Sequence, residues 1–225
     1  MIIHRYFRYL LIGGLFVSTI QAGVAQKKVI NDLGLAAGGA WYFGDLNPAV
    51  MFYSPSPAVG IFYRPNINKR YAVRTSFWFG GLRSNGNAFG DPLPPFNTAS
   101  FQHSFIDLSV QFEFNFLPYS PHPRKVMYSP YVSAGAGYAM IFGATPAGQF
   151  VLPFGLGFKL NISERIDGGV EWGFRKTFND MIDGSQNLIA PNDNSLLHNN
   201  DWYSIVGIFV SYKIFYNREK CAAYW

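Results

Sequence analysis

FQHSFIDLSVQFEFNF, residues 101–116, separates into two lists when every second residue is read. Gln102 and Ser104 lead into an apolar set of Ile106, Leu108, Val110, Phe112, Phe114 and Phe116. The other set, Phe101, His103, Phe105, Asp107, Ser109, Gln111, Glu113 and Asn115, is mostly polar or charged. Period two is a strand signal, because a helix would spread both sets around its circumference. Most globular strands run about 5–6 residues, so this one is long. It suits a tilted membrane-crossing strand with some overhang, since about 9–11 residues cross the hydrocarbon. One face asks for lipid and the other for a hydrated or ion-paired interior, which is the pattern of a transmembrane β-barrel.

The N-terminus fits export. Arg5 and Arg8 precede an apolar run from Leu10 to Ile20 and a small-residue end at Ala22–Ala25, the make-up of a secretory signal peptide cleaved after Ala25. The competing reading, a retained anchor, is opposed by a run shorter than the ~20 residues of a spanning helix. Gln26 is not cysteine, so a lipoprotein signal is not supported. The expected organisation is a signal peptide at 1–25, one barrel domain at 26–216 and a short tail at 217–225.

Aromatic residues make up 18% of the chain and charged residues 14%, against a usual charged share of about 25%. Mean hydropathy is only +0.05, because alternating strands average their two faces. After the signal no apolar run reaches helical-span length. A spanning chain without such runs must pair its backbone in a closed barrel. A soluble lipocalin-like barrel or a sandwich would also alternate, but with a polar outward face. The expected fold is therefore all-β, an eight-stranded antiparallel up-and-down transmembrane barrel. The net charge of +5 is scattered over the chain, which argues against a nucleic-acid partner. Its surplus is expected in the wall and the periplasmic turns.

Eight strands are read at Asp32–Tyr42, Ala58–Arg64, Tyr71–Leu82, Phe101–Phe116, Pro130–Phe142, Phe150–Ile162, Ile166–Phe178 and Trp202–Tyr216, the second short and ending before Pro65. The intervening segments alternate long and short, as in bacterial outer-membrane barrels with long outer loops, short periplasmic turns and both termini in the periplasm. The fourth connection breaks the rule. It is long for a periplasmic turn, rich in proline, and carries His122, Arg124 and Lys125. It reads either as a contact surface or as a merely long turn.

An eight-stranded barrel has an interior that side chains fill, so a porin is excluded. Inward charges are expected at Arg74, Asp107, Glu113, Lys159, Glu171, Arg175 and Lys213. Unpaired buried charge is expensive, so these should pair, forming a salt-bridged plug or an ion path. Catalysis finds no support. His103 and Ser104 point to opposite faces, no G-x-S-x-G occurs, and His4, His103, His122 and His198 share no metal-ligand spacing. No cofactor and no small-molecule substrate is expected. The tail holds Arg218, Lys220, Tyr224, Trp225 and the single cysteine, Cys221. An unpaired cysteine in an oxidising compartment reads as an intermolecular disulfide or as an incidental thiol.

Several phrases then stand in a specific order: Gly44-Asp45-Leu46-Asn47-Pro48; Glu113-Phe114-Asn115-Phe116 before Pro118-Tyr119; Pro153-Phe154-Gly155-Leu156-Gly157; Glu171 to Asp180; Asn200-Asp201-Trp202-Tyr203; and Lys220-Cys221. In order and spacing the chain resembles the PorG-like, DUF6089 family of outer-membrane barrels, components of the type IX secretion system of Bacteroidetes. The family's tail has Pro after the cysteine, whereas Ala222 stands here. The resemblance implies a non-enzymatic barrel in outer-membrane lipid. It also implies association with a periplasmic ring of the PorK lipoprotein and PorN-like subunits, in an apparatus that also supports gliding motility in some species. A stand-alone barrel that binds a surface ligand through its outer loops is the alternative.

Overall fold

The computed structural model describes residues 30–43, 52, 54–85, 100–119, 127–143, 146–178 and 202–214. They form eight strands: β1 (Ile30–Phe43), β2 (Ser56–Asn66), β3 (Tyr71–Asn85), β4 (Ser100–Asn115), β5 (Tyr128–Phe142), β6 (Ala147–Asn161), β7 (Ile166–Thr177) and β8 (Trp202–Ile214). Each pairs antiparallel with its neighbour in sequence, and β8 closes on β1 from Asn31↔Ile214 to Phe43↔Trp202. Cross-strand partners can be followed once around, from Ile30 through Asn66, Ala72, Glu113, Ser133, Gly155, Gly173 and Ile205. The path returns at Ala40, ten residues further along β1. That stagger over eight strands corresponds to a tilt of about 40°, within the range of membrane barrels.

Most strand ends lie one to three residues from the sequence reading, and two of the differences have a consequence. Pro65 does not end β2; it pairs with Asn31 and the strand runs on to Asn66. On its other side the β2–β3 ladder skips Arg64 and Pro65, as expected where a proline has no N–H to donate. The β5–β6 ladder skips Gly135 and Ala136 opposite Leu152 and Pro153 in the same way. Second, β6 begins at Ala147, so the fifth connection is only 143–146. The alternation of lengths thus fails there as well as at the long fourth connection. The two ends are called here the turn end (connections 67–70, 116–127 and 162–165) and the loop end (44–55, 86–99, 143–146 and 178–201).

The wall has two faces. On β4, Leu108, Val110 and Phe112 stand on the outside, with Val110 51% exposed, whereas Asp107, Ser109, Gln111 and Glu113 are buried. The same division runs through β1 (Leu33, Leu35), β6 (Leu152, Phe154, Leu156) and β8 (Ile208, Val210). An exposed apolar belt of this extent is far beyond what a water-soluble surface carries; its solvent is lipid. Aromatic rings gather at both rims, as interfacial girdles do. At the turn end Tyr71 stacks on Phe112 and Tyr128 on Phe158. At the loop end Trp41 meets Phe52, and Trp172 meets Phe174, with Lys176 over the Trp202 ring.

Inside, the loop-side half is apolar. Tyr42, Trp78, Leu82, Phe105, Ile141, Val151, Tyr203 and Ile205 form one buried cluster with Ala40, Ala58 and Ala139. Five glycines opposite large rings make the filling of the lumen possible: in this half Gly60 faces Trp78 and Gly80 Phe105, and in a second cluster of Phe62, Tyr131 and Phe209 toward the turn end Gly34 faces Phe62, Gly157 Tyr131 and Gly169 Phe209. A Cβ at Gly157 would come 2.5 Å from the Tyr131 ring, and one at Gly34 2.2 Å from that of Phe62. Each ring lies across the strand beside it, occupying the space that the missing side chain leaves.

Candidate functional site

The polar half of the lumen lies toward the turn end and is built by alternation alone. Arg74, Asp107, Glu113, Lys159, Glu171, Arg175 and Lys213 are all buried. Three further buried charges join them: Asp32, Arg64 and Asp167. The total among the described residues is five cations and five anions, not the four against three read from sequence. Asp32 and Arg64 were missed because they sit near strand ends, Arg64 beside a proline taken as a terminus. Asp167 shares its face with Glu171, so the period already pointed to it.

Glu113 is the centre. Its Oε2 accepts from Lys159 Nζ at 2.5 Å, its Oε1 lies 3.2 Å from Arg74 Nε, and Arg64 Nη1 lies 3.9 Å from Oε2. Arg74 also reaches Glu171, with Nη2 donating to Oε1 at 2.8 Å, and its guanidinium contacts Gln111. Tyr131 donates its hydroxyl to Glu171 at 2.6 Å, and Lys159 Nζ stands 4.4 Å over the Tyr131 ring. Arg64 donates to Asp32 at 3.0 Å and Lys213 to Asp167 at 2.5 Å. A separate pair lies above, where Asp107 Oδ2 accepts from Arg175 Nε at 3.1 Å and from the Tyr203 hydroxyl at 2.9 Å. Beyond that pair most inward positions belong to the apolar cluster, with Ser56, Gln149 and Thr177 buried beside it. All ten buried charges have an opposite partner, so the site binds its own charges rather than presenting them.

Below the ion pairs, the turn end opens into a cavity of about 530 Å³ lined by Asn66, Lys69, Arg70, Asn115, Tyr119 and Asp167 among others. Burial, together with the nearby Asp167 carboxylate, raises the Tyr119 phenol far above its ordinary range, so it stays protonated. The polar neighbour of the hydroxyl is that same Asp167 carboxylate. Among the described residues no group of three His, Cys, Asp or Glu side chains is placed to hold a metal. His103 is half-buried on the lumen face of β4 and Ser104 is exposed on the other. Cys221, Arg218, Lys220, Tyr224 and Trp225, and the turn residues His122, Arg124 and Lys125, lie outside the described residues.

Comparison with known proteins supports the architecture. A family model described as a domain of unknown function, DUF6089, matches residues 10–223. Among solved structures, Neisserial surface protein A (NspA) superposes with a TM-score of 0.53 at 11% identity, covering 82% of this chain and 97% of that one. Ail, the attachment invasion locus protein of Yersinia pestis, gives 0.49 at 10% identity, over 83% and 99%. The outer membrane protein OprG of Pseudomonas aeruginosa gives 0.42 at 11%, over 83% and 97%. No curated protein matches in sequence.

Proposed function

The chain belongs to the DUF6089 family, and on that footing we propose that it is a non-enzymatic barrel of the bacterial outer membrane that anchors a periplasmic ring of the type IX protein secretion machinery. One observation carries the non-transport part of the reading: the lumen is filled. Its polar half is a set of mutually paired charges and its other half an apolar cluster. A barrel so plugged has only its rims and its lipid-facing wall with which to act. The secretion role rests on the resemblance of the chain to PorG-like barrels, with PorK and PorN-like ring subunits as partners.

In this reading both termini and the turn end face the periplasm. Arg218, Lys220, Cys221, Tyr224 and Trp225 make the principal contact with the ring, and His122, Arg124 and Lys125 a weaker one. Aromatic residues and arginine are the types that anchor interfaces. The test is affinity purification of a tagged copy from solubilised outer membranes, with and without residues 217–225. Recovery of a periplasmic ring complex, lost on deletion while the barrel stays heat-modifiable, supports the reading. A full-length bait that brings down no periplasmic complex overturns it in favour of a stand-alone barrel with ligand-binding loops.

A further inference from the structure

The charges of this chain are sorted by end. Taking the sequence from Gln26, the turn-end connections and the termini hold nine basic residues: Lys27, Lys28, Lys69, Arg70, Arg124, Lys125, Arg165, Arg218 and Lys220. They hold two acidic ones, Glu164 and Glu219. The four loop-end connections hold six aspartates, at 45, 91, 180, 183, 193 and 201, and no lysine or arginine. The lumen between them is balanced. Along the sequence the connections of one end are thus basic and those of the other acidic, and among the described residues the turn end shows Lys69, Arg70 and Arg165 against Glu164; charge of that kind selects partners by sign.

The turn Ile67–Arg70 displays part of this charge on a rigid support. Asn68 Oδ1 accepts from the backbone N–H of both Arg70 and Tyr71 at 2.8 Å. The turn is then tied to the segment after β4. Asn115 N–H donates to the Arg70 carbonyl at 2.7 Å, Tyr119 N–H to that of Lys69 at 2.9 Å, and Arg70 Nη1 to the Phe116 carbonyl at 2.9 Å. A carbonyl does not neutralise a guanidinium, and among the described residues no carboxylate pairs with Arg70 or with exposed Lys69 beside it. Little ordering cost remains for a ligand of this pair.

The pair lines the 530 Å³ cavity at the barrel's axis, whose floor includes Asn115, Tyr119 and Asp167. One buried atom there, Asn115 Oδ1, lacks a partner among the described residues, while the Tyr119 hydroxyl and the Asp167 carboxylate face each other. An amide oxygen accepts hydrogen bonds. A peptide N–H offers that complement, whereas a phosphate group offers acceptors alone. An occupant on the axis also enters from the aqueous side, not from the bilayer that surrounds the wall.

We propose that this mouth is a docking site for an acidic peptide segment of a partner protein, its carboxylates held by Lys69 and Arg70 and its backbone seated over the cavity. The inference deepens the reading of a ring-anchoring barrel and rests on the turn end facing the partner.

The test uses the full chain in nanodiscs of zwitterionic phosphatidylcholine, with a fluorescein-labelled decaglutamate peptide as probe and anisotropy as readout. Decaglutamate should bind in a salt-sensitive manner and decalysine should not. Lys69→Glu with Arg70→Glu should weaken binding by at least about tenfold. Arg83→Glu, which makes the same charge change as Arg70→Glu at the loop end, should leave it unchanged, and all variants should remain heat-modifiable. Equal binding of decalysine, or equal effects at Arg83 and Arg70, would overturn the proposal. So would a defect confined to phosphatidylglycerol nanodiscs, which would make the pair a lipid contact. Binding that appears only after removal of residues 217–225 would mean that the chain's own tail fills the mouth, and also refutes it. The two readings fail separately. If the wild type brings down the ring but does not bind decaglutamate, the docking site is wrong and the anchor stands; if it binds decaglutamate but brings down no complex, the reverse holds.

Discussion

At the scale of single residues, Glu113 shows how the interior is balanced. It is fully buried with Lys159, Arg74 and Arg64 around it. Replacing it with leucine leaves those cations facing one another without their shared counter-charge, and breaking a buried pair costs about 3–5 kcal/mol. Glu113→Leu should lower unfolding stability by that amount in denaturant titrations of the folded barrel. Adding Lys159→Met to Glu113→Leu should recover part of the loss, because one of the stranded cations is then gone. A double variant less stable than the single one would show that Lys159 draws its compensation from elsewhere. Glu113 was legible in the sequence because it continues the unbroken period of β4. Arg64 was not, because Pro65 beside it looked like a terminus, whereas a strand accommodates proline by giving up the hydrogen bonds on one side.

At the scale of elements, β4 carries the argument that the rest of the sheet repeats. Its outward positions have space and an apolar solvent; its inward ones have neither. Val110→Phe should therefore cost little, whereas Ser109→Phe must find room where Ser109 bonds Ser76 at 3.0 Å and should cost about 1–3 kcal/mol. Val110→Arg should cost about 2–4 kcal/mol, the penalty of a cation on the lipid face near the midplane. The same unfolding titrations rank the three, and Ser109→Phe milder than Val110→Phe would invert the two faces. Pairs of strands add a second device. Gly157 leaves its place to the ring of Tyr131, whose hydroxyl reaches Glu171. Gly157→Val should displace that ring and lower stability by about 1–3 kcal/mol, while Gly81→Ala, where a Cβ meets only Ser56 at 3.1 Å, should be milder. The alternation of β4 was visible in the sequence. The glycine–ring pairs were not, since each joins residues 18 to 40 positions apart and exists only once register is fixed.

At the scale of the whole molecule, closure and stagger turn eight separate periods into one object with two ends. Strand number and facing could be read locally. The apolar half of the lumen could not, because Tyr42, Trp78, Phe105 and Tyr203 come from four strands and meet only when the barrel closes. The polarity of charge was legible in part, as a surplus expected in the wall and the periplasmic turns, and the acidic character of the opposite connections follows once each connection is assigned to an end. That polarity bears on orientation. If the turn end faces the periplasm, its basic rim meets periplasmic partners and the aspartates stand outside the cell. In a Cys221→Ser background, Asn87→Cys and Asn192→Cys should react with a membrane-impermeant maleimide in intact cells. Lys69→Cys and Glu164→Cys should react only after the outer membrane is permeabilised. Labelling of the second pair in intact cells, with the first protected, would turn the barrel over and put the basic mouth at the cell surface. Labelling of all four would mean that the connections do not divide between two sides, which an eight-stranded antiparallel barrel spanning a sealed membrane does not permit.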